Sequence, residues 1–136
     1  MLASDLEFAQ AFERFEIPNE GFHHRDHIRL AWIYLKLYGP IEGAARISAA
    51  IRKFAAHHGK SEKYHETVTA AWMCLVAQAC HCSSFTEVTT EFPQFLDKSF
   101  LAEFYSTELL QTESARQTFV DPDKKPLPSL SPSVVK

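Results

Sequence analysis

Residues 21–35 read GFHHRDHIRLAWIYL. Each helical residue advances about 100° around the axis, so with His24 at zero Leu35 falls near 20°, Ile28 near 40°, Ala31 near 340° and His27 near 300°. Arg25, Arg29 and Lys36 gather at about 100–140°, Asp26 lies near 200° and His23 near 260°. The stretch therefore predicts an amphipathic helix whose apolar stripe carries His24 and His27, with its charges turned away. His23 belongs to the helix start. Gly39-Pro40 ends the helix after Tyr38, and Pro40 suits the first turn of a following one.

The same pattern extends in both directions. Ser4-x-x-Glu7 predicts a capping box opening a helix that presents Leu6, Phe8, Phe12 and Phe15. Beyond Pro40, Ile47, Ile51 and Phe54 recur at helical spacing before Gly59, a natural C-terminal cap. Residues 61–82, SEKYHETVTAAWMCLVAQACHC, predict a further helix, and Ser84-x-x-Glu87 a second capping box just after it. Pro93 interrupts the next helix, and residues 106–119 supply one or two short ones. No sustained alternation and no Asn-Gly turn signals a strand. Four of the seven prolines fall in residues 121–136, which breaks all periodicity there. The expectation is an all-α fold, a compact single-domain bundle of five or six helices over residues 1–120, with an extended Pro-rich tail over 121–136.

Composition narrows the function. At 136 residues, 46% of them apolar and 12% aromatic, the chain can bury a core without disulfides. A net charge of −3 with no basic block argues against nucleic acid. Cys74, Cys80 and Cys82 are an odd number, which suits reduced thiols and a cytoplasmic setting. No signal peptide opens the sequence, and no apolar run approaches the roughly 20 residues a membrane span needs. Oligomeric state is not readable.

If the 61–82 helix includes His65, that residue shares a face with Thr69, Trp72 and Val76. Two helices would then each turn imidazoles inward, and His24, His27 and His65 would converge as metal ligands. Three neutral imidazoles with an open fourth position suit a divalent transition metal: Zn, Fe, Mn, Ni or Cu. Glu66 would act as general base or fourth ligand, and Asp26, Tyr64 and Thr69 are candidates for fixing the tautomers. Against this stands a simpler arrangement, in which the histidines hydrogen-bond in the core, cap helices or contact a ligand. Cys80-His81-Cys82 invites a zinc reading too, but adjacent positions on a helix diverge by about 100° and no partner pair is apparent. His57-His58-Gly59 reads as a helix C-terminus. There is no His-Asp pair, no glycine-rich phosphate loop and no nucleophile elbow.

Three stretches together carry a resemblance. These are Phe22-His23-His24-Arg25-Asp26-His27, Tyr64-His65-Glu66-Thr67-Val68-Thr69, and Ala115-Arg116 with Asp121-Pro122-Asp123 and Pro126-Leu127-Pro128. They resemble a family of small uncharacterised bacterial helical proteins with aromatic-x-His-x-x-His and Tyr-His-Glu-Thr-x-Thr motifs. The resemblance implies no reaction. It groups His24, His27, His65 and Glu66 and adds Arg116, whose guanidinium would hold an anionic group. The leading expectation is a divalent-metal-dependent enzyme acting on a small anionic molecule. The alternatives are a non-enzymatic helical module binding a small ligand or metal, and a metal-free acid–base enzyme using His65 and Glu66.

Overall fold

A computed structural model describes residues 1–130. Six α-helices, joined by short 3₁₀ turns, make up the fold: α1 Ala3–Glu13, α2 His24–His57, α3 Glu66–Val76, α4 Phe85–Glu91, α5 Thr107–Leu110 and α6 Glu113–Gln117. No strand occurs among the described residues. No helix among them is long and apolar enough to cross a membrane.

α2 is helical on both sides of a sharp corner. Gly39 sits at φ 81°, ψ 173°, a left-handed conformation that glycine adopts without the Cβ clash other residues suffer, and Pro40 opens the second arm. The corner is tight. A Cβ on Gly43 would lie 2.8 Å from the Tyr34 carbonyl oxygen. In a straight helix nine residues span about 13.5 Å, so this proximity requires the second arm to fold back across the first. The break falls where Gly39-Pro40 predicts it.

The first arm forms the centre of the molecule. Leu30, Ala31, Trp32, Ile33, Tyr34 and Leu35 are all buried in succession, the pattern of a helix enclosed on every side. α3 packs along it through Ala71, Trp72, Met73, Leu75 and Val76. α1 lies across the arms, where Phe12 stacks on Phe54 at 4.5 Å between ring centroids and meets Phe22 at 4.8 Å. The start of α1 differs from the expected box. Leu2 is its N-cap, and the buried Asp5 accepts from the Leu2 N–H at 2.9 Å while pairing with Arg29 at 2.9 Å. A carboxylate that can meet a guanidinium as well as a backbone donor displaces the Ser4 cap. At α4, Ser84 accepts from the Glu87 N–H as the capping pattern predicts, while the Glu87 carboxylate accepts from the Ser83 N–H rather than from that of Ser84.

The end of the described chain is tied down. The buried Thr67 hydroxyl donates to the Thr118 carbonyl and accepts from the Val120 N–H, and Tyr105 donates to the Val120 carbonyl at 2.7 Å. Residues 121–130 then run without regular structure over the surface. Asp123 accepts from Ser106 N–H and hydroxyl, Lys124 N–H donates to the Phe104 carbonyl, and Leu127 packs against the core. The rest of the expected tail, 131–136, lies outside the described residues.

Candidate functional site

His23 is the N-cap of α2, with the Asp26 carboxylate accepting from its backbone N–H at 3.0 Å, so His24 and His27 occupy the first helical turn. His24 turns into the bundle. Its Nε2–H donates to the Phe95 carbonyl at 2.8 Å, and its ring meets Trp72 edge-on at 4.8 Å. Burial lowers the His24 pKa, opposed by the Phe95 carbonyl, which favours a donor at Nε2.

His27 is the unusual member. Its Nε2 is sealed from solvent and has no hydrogen-bond partner. Burial, with the neighbouring His24 adding to it, pushes the His27 pKa down to about 4, so the ring is neutral at physiological pH. Trp32 Nε1 and His58 Nε2 are likewise unpartnered, but His27 alone of the three lines a cavity of about 220 Å³ between the start of α2, its second arm and the start of α3. Phe22, Phe54, Ile51 and Val68 supply apolar wall, and Lys60 and Lys63 stand at its edge. Neither lysine pairs with a carboxylate among the described residues.

His65 reaches the same cavity in a different role. α3 begins at Glu66 rather than at 61, so His65 is a cap residue in extended conformation, outside the helix. Its Nδ1 accepts from the Val68 N–H at 3.1 Å, and its Nε2–H donates to the Leu110 carbonyl at 2.7 Å. Both ring nitrogens are thereby engaged, and the ring has no lone pair left for a metal. The expected ligands His24, His27 and His65 are neighbours around one region, but in this arrangement they do not offer three free nitrogens to one ion. The group of three potential donors that does meet, with ligand atoms all within 4.8 Å among the described residues, is His81, Cys82 and Glu91.

Glu66 and Arg116 do not line the cavity either. Glu66 accepts from Tyr64 hydroxyl at 2.6 Å and from Arg52 at 3.1 Å, which ties it up as a structural carboxylate. Arg116 pairs with Glu113 at 3.2 Å and donates to the Glu62 carbonyl. With Arg52 and Tyr64 it lines a separate cleft of about 330 Å³. The buried Tyr64, whose pKa is raised by desolvation and by Glu66, forms the wall between the two spaces.

Lys60, Lys63 and the wall of Phe22 and Phe54 were not legible as site residues. Their signal was a pair of unmatched cations in the loop joining α2 to α3, and it emerges once that loop folds back over His27. No protein-family model matches the chain, and no curated protein or solved structure shows significant similarity to it.

Proposed function

We propose that this protein is a binding module for a compact, largely apolar small molecule bearing one carboxylate, received in the cavity bordered by His27 and His65. The observation that carries this reading is His27, which lines the cavity with a neutral ring whose buried Nε2 has no partner. An orphaned buried polar atom costs roughly 1–3 kcal/mol, and a turn of the ring that brings it to a ligand donor or acceptor recovers much of that cost. At about 220 Å³ the cavity is smaller than the ~300–1,000 Å³ clefts that take drug-sized ligands, which favours a single ring or short chain. Lys60 and Lys63 favour an anionic end at the mouth. His65, fixed by Val68 and Leu110, holds the far wall in place.

A divalent-metal enzyme working through His24, His27 and His65, with Glu66 as base and Arg116 holding an anion, would first have to break the cap and the Leu110 bond of His65. Binding without a metal at this position needs no such rearrangement. The test is a ¹⁵N-NMR titration of full-length protein with benzoate and with short-chain aliphatic carboxylates, following the histidine ring nitrogens. Saturable shifts at His27 and His65 are the expected outcome, with those of His65 weakened in Lys60→Met/Lys63→Met and lost in His27→Phe. Shifts that do not saturate, or His65 shifts that persist in His27→Phe, would dismiss the cavity as the binding site.

A further inference from the structure

The turn between α3 and α4 brings together a second set of donors, which shares no residue with the cavity. α3 ends at Val76, a 3₁₀ turn covers Ala77–Ala79, and residues 80–84 are irregular up to the Ser84 cap of α4. Because His81 and Cys82 are not helical, the roughly 100° divergence of adjacent helix positions does not apply to them. Their side chains turn to the same side, and Glu91, the last residue of α4, meets them. His81 Nε2 lies 2.8 Å from Glu91 Oε2 and 3.8 Å from Cys82 Sγ, and Cys82 Sγ lies 4.0 Å from Glu91 Oε1.

These separations are close to those of a metal's ligands. With bonds of about 2.3 Å to sulfur and 2.0–2.2 Å to nitrogen and oxygen, a tetrahedral ion sets its ligand atoms roughly 3.4–3.6 Å apart. The His81–Cys82 distance must close by a few tenths of an ångström, and the Glu91 carboxylate, which now turns Oε2 to His81 and Oε1 to Cys82, must swing until one oxygen stands at that separation from both. Both moving side chains are half in solvent, so the adjustment disturbs no packing. Cys82 is fully buried and forms the floor. The frame around it is fixed: Cys82 N–H donates to the Ala79 carbonyl at 3.0 Å, Lys36 ammonium to the Cys80 carbonyl at 2.9 Å, and Ser83 N–H and hydroxyl to Glu87, each at 3.0 Å.

We infer that His81, Cys82 and Glu91 bind one zinc ion, with the fourth position open to solvent. One thiolate, one imidazole and one carboxylate form a borderline-soft set, which suits zinc better than the hard all-oxygen preference of Mg²⁺ or Ca²⁺. Three protein ligands and a solvent-facing vacancy are the arrangement of an exchangeable or reactive zinc rather than a closed structural one.

The test uses untagged, reduced, chelator-stripped full-length protein, titrated with ZnCl₂ and separately with CoCl₂. One zinc per chain is expected, along with a cobalt complex showing a thiolate-to-cobalt charge-transfer band in the near ultraviolet. Cys82→Ser should remove the band and weaken zinc binding by at least the ~10–100-fold that losing even an outer-shell partner costs. Glu91→Gln, at an exposed helix end where folding is not at stake, should weaken zinc binding while keeping the band. Cys74→Ser and Cys80→Ser should leave both readouts unchanged. Failure to take up equimolar zinc, a cobalt spectrum without the thiolate band, undiminished zinc affinity in Glu91→Gln, or loss of the band in Cys80→Ser in place of Cys82→Ser would overturn the assignment.

Discussion

His27→Phe should make the protein more stable, and more so in acid. At pH 7 the variant removes the unpartnered Nε2, a penalty of roughly 1–3 kcal/mol, and retains the ring's neighbours Phe22 and His24 at 6.3 and 6.5 Å between centroids. The slightly larger ring extends into the adjoining cavity. A net gain of about 1–2 kcal/mol at pH 7 follows, or about 4 °C in Tm per kcal/mol for a chain of this length. Acid enlarges the gap. The unfolded chain takes up a proton near pH 6.5, whereas folded His27 holds out to about 4, so its stability contribution is complete above 6.5 and is lost as the pH falls towards 4. Between pH 7 and pH 5 that loss amounts to about 2 kcal/mol in the wild type and is absent in the variant. Urea unfolding of both proteins at the two pH values cancels the titrating groups that do not interact with His27. A variant less stable than wild type at pH 7, or a gap that does not widen at pH 5, would refute the account of His27 as a buried, neutral, unsatisfied imidazole. The proposed function would lose its main support with it.

Three further outcomes check the architecture. Gly43→Ala should cost about 1–3 kcal/mol in urea unfolding, because its methyl meets the Tyr34 carbonyl at 2.8 Å and Met73 Cε at 3.0 Å; an unchanged midpoint would mean that the arms of α2 are less closely packed. Thr67→Val keeps the shape but strands the Thr118 carbonyl and Val120 N–H, and should cost about 2 kcal/mol by the same assay; a neutral result would mean that water replaces the hydroxyl. Ending the chain at Asp121 removes the Asp123, Lys124 and Leu127 contacts and should lower Tm by more than about 4 °C, the shift that one kcal/mol produces, as read by calorimetry.

The sequence made the helices, the corner at Gly39-Pro40 and the inward stripe of α2 readable, because periodicity and breakers act locally. It also placed His24 and His27 correctly on that stripe. The side-chain directions of His65 and of Cys80-His81-Cys82 were misread for a common reason. Both projections assumed one helix over 61–82, but the helix spans Glu66–Val76. At its front, His65 lies outside the helix and is a cap held by Val68 and Leu110. Behind its end, His81 and Cys82 are released from helical divergence and can meet Glu91. A boundary error of a few residues is small for a fold and large for a site, since one residue turns a helical side chain by about 100°. The cavity beside His27 was out of reach for another reason: it depends on where the 58–65 connection folds back, which no local pattern encodes.

The corner of α2 also determines whether this chain is complete as a single molecule. Of the thirty-four residues of α2, Gly39 alone departs from helical dihedrals. Straightened, they would make a rod of about 51 Å, kinked at Pro40, with the surfaces that the two arms now press against each other left uncovered. A second copy opened in the same way would offer the matching faces, and the two could exchange their halves. Gly39→Val, which makes the left-handed turn costly, therefore shifts the balance from a self-contained monomer towards an exchanged dimer. Size-exclusion chromatography after concentration and dilution would detect such a species by its slow interconversion.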